Sequence, residues 1–118
     1  MSKLIFVNLP VTDLERSKRF YEALGARNEP KFSNEQAAMM VLSDTIHVML
    51  LTHDFYKTFT SKPIADAHAT SQVLLCLSAD DRAEVDALAD SAAKSGGRAD
   101  PAPAQDYGFM YSRSIEDP

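Results

Sequence analysis

Two stretches of this 118-residue chain follow one plan, at an offset of about 67 residues. Each has an apolar strand-like run, a polar helix start, an amphipathic helix, a glycine stop and then further strand-like runs. One such unit cannot cover both faces of its own sheet, so two units are expected to share a core. The expected class is α+β, one domain over residues 1–118, with a first unit at 1–60 and a second at 70–118.

In the first unit, residues 4–10 are β-prone and Pro10 ends the run. Thr12 and Glu15 have capping-box spacing, with Asp13 as a competing cap. The following helix aligns Leu14, Ser17, Tyr21 and Leu24 on one stripe, with Phe20 beside it and Gly25 as the left-handed stop. Runs at 26–32, 35–42 and 45–51 are separated by Ser33-Asn34 and Ser43-Asp44, which predicts an antiparallel meander. Residues 52–70 are irregular and hold His53, Asp54, Phe55, Tyr56, Phe59, Asp66 and His68; stretches this long are usually binding segments or linkers.

The second unit begins with Val73–Leu77 as a strand. Ser78 and Asp81 have cap spacing, and a helix to about Ser95 buries Val85, Leu88, Ala89 and Ala92. Gly96-Gly97 end that helix, 101–106 form a loop, and Tyr107 to Ile115 form a last strand.

Composition narrows the partners. Seventeen acidic against twelve basic residues give a net charge of −5, which argues against nucleic acid and against an anionic membrane surface. The amino terminus shows no signal-peptide pattern and no apolar run spans a bilayer. A lone cysteine, Cys76, excludes an intrachain disulfide and suits a reducing cytoplasm. There is no glycine-rich phosphate loop, no Gly-x-Ser-x-Gly elbow and no Cys-x-x-Cys.

The run Val11-x-Asp13-Leu14-x-x-Ser17-x-x-Phe20-Tyr21-x-x-Leu24-Gly25 resembles the first strand-to-helix segment of the vicinal-oxygen-chelate superfamily. Its members include glyoxalase (lactoylglutathione lyase), bleomycin-resistance and extradiol-dioxygenase relatives. Glu116-Asp117-Pro118 resembles the superfamily's Asp-Pro turn near the end of the second unit. The resemblance implies two βαβββ units whose strands curl into a mixed-sheet cup, with helices packed outside, and often a homodimer that completes the cup. The family pattern runs on past Asp-Pro with Asp-Gly-His and a strand ending in glutamate. The expectation is therefore a chain that continues beyond Pro118 and, as given, a second unit without its final strand.

Metal-dependent members hold a divalent ion with His, Glu or Gln at four strand positions. The resemblance puts the first at Phe6, the second at Met49 or Leu50, the third at Leu74 and the fourth beyond Pro118. Carbon side chains donate nothing to a borderline ion, and a thioether suits soft metals only. The expectation is no metal and no cofactor.

Strand alternation then sets Phe6, Asn8 and Pro10 on one face, with His47, Met49 and Leu51 together on theirs. The candidate ligand-binding residues are Phe6, Asn8, His47, Met49, Leu74, Cys76, Phe109, Tyr111 and Arg113. They would form an apolar, aromatic pocket with a few polar anchors, the usual make-up of a small-molecule site. Blander readings stand beside these. His47 is either a structural histidine or a ligand contact, Cys76 an inert buried thiol, and Arg113 a partner for an anionic ligand or for an acidic neighbour. Tyr107 and Tyr111 suit core or rim, and the histidines and aspartates of 52–70 suit a solvated loop. The function expected is metal-free binding of a small molecule by a homodimer. The alternative is a metal-dependent lyase or dioxygenase.

Overall fold

The computed structural model describes residues 3–106, 108 and 111–118. Its first half is a four-stranded mixed sheet with one helix across it. β1 (Ile5–Val11) leads through α1 (Leu14–Ala23) to β2 (Arg27–Glu29), a 3₁₀ turn at Pro30–Phe32, β3 (Ala37–Val41) and β4 (Ile46–Thr52). The strand order is β1-β4-β3-β2. β2, β3 and β4 form the expected antiparallel meander, and β1 returns beside β4 in parallel.

Local chemistry explains the helix. Asp13 caps it, its Oδ1 accepting from the Arg16 backbone N–H at 3.1 Å. Gly25, at φ +96°, turns the chain out of it. The helix lays Leu14 and Tyr21 over the sheet face that carries Leu9, Val11, Ala38, Met40, Val48 and Leu50, and these form the main core cluster. Phe20 is buried nearby at 1% exposure.

β1 is the edge strand of this sheet. The Ile5 N–H donates to Thr45 O at 2.9 Å, so Ile5 faces β4. Alternation then aims the backbone groups of Phe6, Asn8 and Pro10 at the outer edge. Pro10, which has no N–H, therefore leaves no gap in the β1–β4 ladder. The Asn8 side-chain amide donates to Phe6 O at 3.0 Å and occupies one of the outward carbonyls.

The second half is built differently. After the one-turn α2 (His53–Tyr56), which follows β4 and belongs to the first half, α3 (Arg82–Lys94) is the main helix. Asp81 caps α3, accepting from the Glu84 N–H at 2.8 Å. The strands are two residues each: β5 (Arg98–Ala99) pairs with β8 (Ile115–Glu116), and β6 (Gln105–Asp106) with β7 (Tyr111–Ser112).

Three expectations change here. Val73–Leu77 forms no strand. Its side chains are exposed, Leu74 at 84%, because no described segment lies alongside as β4 does for β1. Cys76 is accordingly an exposed free thiol, not a buried one. The expected strand from Tyr107 to Ile115 is represented, among the described residues, by the short β7 and the start of β8; Tyr107, Phe109 and Met110 lie outside the described residues. β5 and β6 were not expected.

Polar contacts hold this half to α3. Arg113 donates to Asp100 at 2.6 Å, to Asp86 at 3.3 Å and to Asp90 at 3.2 Å. Arg82 pairs with Asp106 and lies 4.5 Å over the Tyr111 ring, while the Tyr111 hydroxyl donates to Asp86 at 2.7 Å. The halves meet across α1. Gly97 passes so near Phe20 that a Cβ there would sit 2.7 Å from the ring and 2.6 Å from Glu116 O. The Tyr21 hydroxyl donates to Asp117 Oδ2 at 2.7 Å. Burial first, and the Asp117 carboxylate second, push that phenol far above its ordinary range.

Candidate functional site

Strand register sorts the sheet into two faces. Residues paired across strands share a face, so the face away from α1 carries three rows. The first is Phe6, His47, Val41 and Arg27; the second is Asn8, Met49, Met39 and Glu29; the third is Pro10, Leu51 and Ala37. The third row is covered, with Leu51 and Ala37 buried, and α2 packs against β1 and β4. The first two rows are open.

α2 is positioned by its own cap, with Thr52 Oγ1 accepting from the Phe55 N–H at 3.4 Å. The turn projects Tyr56, and the chain beyond it adds Phe59 and Thr60. Phe59 stacks edge-on against Phe55 with centroids 5.2 Å apart. Together with Asn8 and Leu51, these three residues line an open pocket of 280 Å³ at the step between the covered and open rows. Beside it, Phe6 and His47 stack in parallel with centroids 4.5 Å apart. His47 Nδ1 lies 3.3 Å from Ile5 O; a carbonyl only accepts, so Nδ1 is the donor and Nε2 is left for other partners.

Of the expected site residues, the structure brings together Phe6, Asn8, His47 and Met49. Register also separates Met49 from Leu50. Met49 lies on the open face, and Leu50 is fully buried under α1. Leu74 and Cys76 lie on the exposed, unpaired segment. Tyr111 and Arg113 are held against α3 by carboxylates, and hydrogen bonding to Asp100 raises the Arg113 guanidinium further above its ordinary range. Phe109 lies outside the described residues. Tyr56, Phe59 and Thr60 were missed, although their aromatic density was noted within 52–70. The signal was Thr52, whose cap turns the chain back over the sheet.

The side chains that the resemblance puts at metal positions offer no nitrogen or oxygen donor to a borderline divalent ion. Phe6 is stacked on His47 and Met49 offers a thioether. Among the described residues, no three His, Cys, Asp or Glu side chains are grouped to hold a metal. In particular, His68 Nε2 bonds Asp117 O at 2.9 Å, and that hydrogen bond raises its pKa. Among the described residues, no helix is long and apolar enough to cross a membrane.

Residues 3–43 match the family described as bleomycin resistance protein-like N-terminal. No curated protein matches the sequence. Among solved structures, the hypothetical protein SA1046 from S. aureus superposes with a TM-score of 0.79 at 23% identity, covering 99% of this chain and 87% of that one. A glyoxalase/bleomycin resistance protein/dioxygenase family enzyme from Burkholderia phytofirmans PsJN superposes with a TM-score of 0.72 at 18% identity, covering 99% of this chain and 91% of that one. At these identities the likeness is one of fold. The segment that holds β1, α1 and the β2–β3 hairpin is thus similar to the bleomycin resistance protein-like N-terminal family, on a chain that shares its fold with these two structures.

Proposed function

We propose that this protein binds a small, flat, largely apolar molecule on the open sheet face, in the manner of bleomycin-resistance relatives and without a metal. The observation that carries the reading is the open 280 Å³ pocket between Asn8 and Leu51 and the aromatic turn of Tyr56, Phe59 and Thr60. On the neighbouring row of the same face, the Phe6–His47 stack would offer a ring to lie against and Nε2 as a polar anchor. Aromatic walls with a few polar atoms are the common chemistry of such sites.

The reading includes two βαβββ units, a curled sheet and a homodimer in a reducing cytoplasm. The uncovered first two rows and the bare Val73–Leu77 run support the dimer, because a second copy would remove both from water. Leu74, Cys76, Tyr111 and Arg113 stay in the proposal as second-unit residues that a partner copy would bring near the cup, and Phe109 with them.

Tyrosine fluorescence can follow titration with planar aromatic probes, since the chain has no tryptophan. Phe59→Ala is expected to weaken binding about tenfold, equivalent to about 1.4 kcal/mol. Equal affinity in wild type, Phe59→Ala and Asn8→Ala would count against this site. Sedimentation of Leu74→Asp tests the dimer, which should dissociate. The alternative, a metal-dependent lyase or dioxygenase, predicts a melting shift with Ni, Zn, Mn or Fe(II) that His47→Ala abolishes.

A further inference from the structure

A second, open pocket of 330 Å³ is lined by Arg16, Arg19, Lys94, Ser95 and Gly96. α1 supplies the two arginines and the end of α3 supplies the rest, so the pocket sits on the junction between the halves. Its lining holds three cations and no carboxylate, in a chain whose net charge is −5.

Part of this charge has a local cause. The carbonyl end of α3 carries a partial negative charge of roughly half a unit, which favours nearby cations. Arg16 serves that end directly, its Nη2 donating to Gly96 O at 3.0 Å. The helix end does not account for Arg19. Neither Arg19 nor Lys94 makes an ion pair or side-chain hydrogen bond among the described residues. Lys18, on the same helix, is paired with Glu15 at 3.3 Å.

We infer that this basic pocket is a binding site for a phosphate-bearing small molecule, separate from the open sheet face. A phosphate monoester or a pyrophosphate carries negative charge to set against the three cations of the lining. Arginine forks suit its oxygens, and the Ser95 hydroxyl adds one more donor. The volume lies at the lower end of the small-molecule range and accommodates a phosphate with an organic group attached. Because Arg16 and Arg19 belong to one half and Lys94 and Ser95 to the other, an occupant clamps the halves together. Binding there therefore raises resistance to unfolding whether or not the sheet face is functional.

The test melts the whole chain in inorganic pyrophosphate, in a sugar monophosphate, and in sodium chloride at equal ionic strength. At saturation, a phosphate species is expected to raise Tm by about 5 °C over chloride. A larger rise with pyrophosphate assigns the site to the inorganic anion, and one with the monophosphate to an organic phosphate. Arg19→Gln/Lys94→Gln keeps the exposed aliphatic stems; it should melt normally in chloride and lose the phosphate response. Arg19→Lys/Lys94→Arg should retain it. A response no larger than that of chloride, or an equal response in the glutamine variant, overturns the site.

Discussion

The two halves begin from the same pattern and end in different states. Each has a capped helix, by Asp13 and by Asp81, and a glycine in the left-handed region after it, Gly25 and Gly96. In the first half the strand before the helix finds β4 at its side, and seven residues pair in register. In the second, Val73–Leu77 has no such neighbour among the described residues, and its side chains are exposed. The buried apolar side chains follow suit: among the described residues the second half contributes Ala89 and Ala92, and Phe20, Met40, Val48, Leu50 and Leu51 belong to the first. A helix can be set by signals within a few residues, whereas a strand needs a partner from elsewhere in the chain.

The sharpest way to break this contrast is to remove matched side chains from each half. Leu50→Ala empties a fully buried site and should cost about 3 kcal/mol in urea unfolding. Leu88→Ala, at a half-buried site on α3, should cost about 1 kcal/mol. Equal costs would mean that the second half has a core of its own. Next in size, Gly97→Ala forces a methyl into Phe20 and Glu116 O and should cost about 2 kcal/mol. Amide exchange should quicken in residues 98–116 more than in β3 and β4; uniform quickening would mean that the halves unfold as one unit.

Smaller effects sharpen the likeness. Asp13→Ala and Asp81→Ala should each cost about 1 kcal/mol, since both caps make the same bond. The smallest effect is one of pH. Hydrogen bonds from Arg113 hold the Asp100 carboxyl below its ordinary range, and Arg82 does the same for Asp106. A carboxyl so depressed stabilises the fold above its unfolded pKa, and that contribution is lost as pH falls through the lower folded value. Below about pH 4 the second half should therefore open before the first. Both carboxyls are solvent-accessible, so added salt should shrink the effect. Exchange at Ala99 and Ile115, compared with Met40 and Leu50, reads it directly.

What could be seen in the sequence was whatever is written locally. Asp13, Gly25 and Asp81 specify their elements within a few positions, and alternation grouped Phe6 with Asn8 and His47 with Met49; the turns expected at Ser33-Asn34 and Ser43-Asp44 are longer connections, the first with a 3₁₀ turn, and the register of β1 on β4 joins the two pairs on one face. What could not be seen depends on meetings across the chain. Nothing near Arg113 in sequence announces Asp86 and Asp90, which lie more than 20 residues away. Nothing in Val73–Leu77 says whether a neighbour arrives. The aromatic turn after Thr52 was visible as composition, but its place over Leu51 and Asn8 comes from the packing of α2 on β1 and β4.

An edge strand as apolar as β1 would ordinarily recruit other chains. Here Asn8 has already claimed the Phe6 carbonyl, and Pro10 offers nothing to donate. A stray β-strand adding along this rim finds the ladder spoiled at two successive rungs. The same polypeptide can thus keep apolar side chains such as Phe6 exposed without seeding fibrils from its own margin.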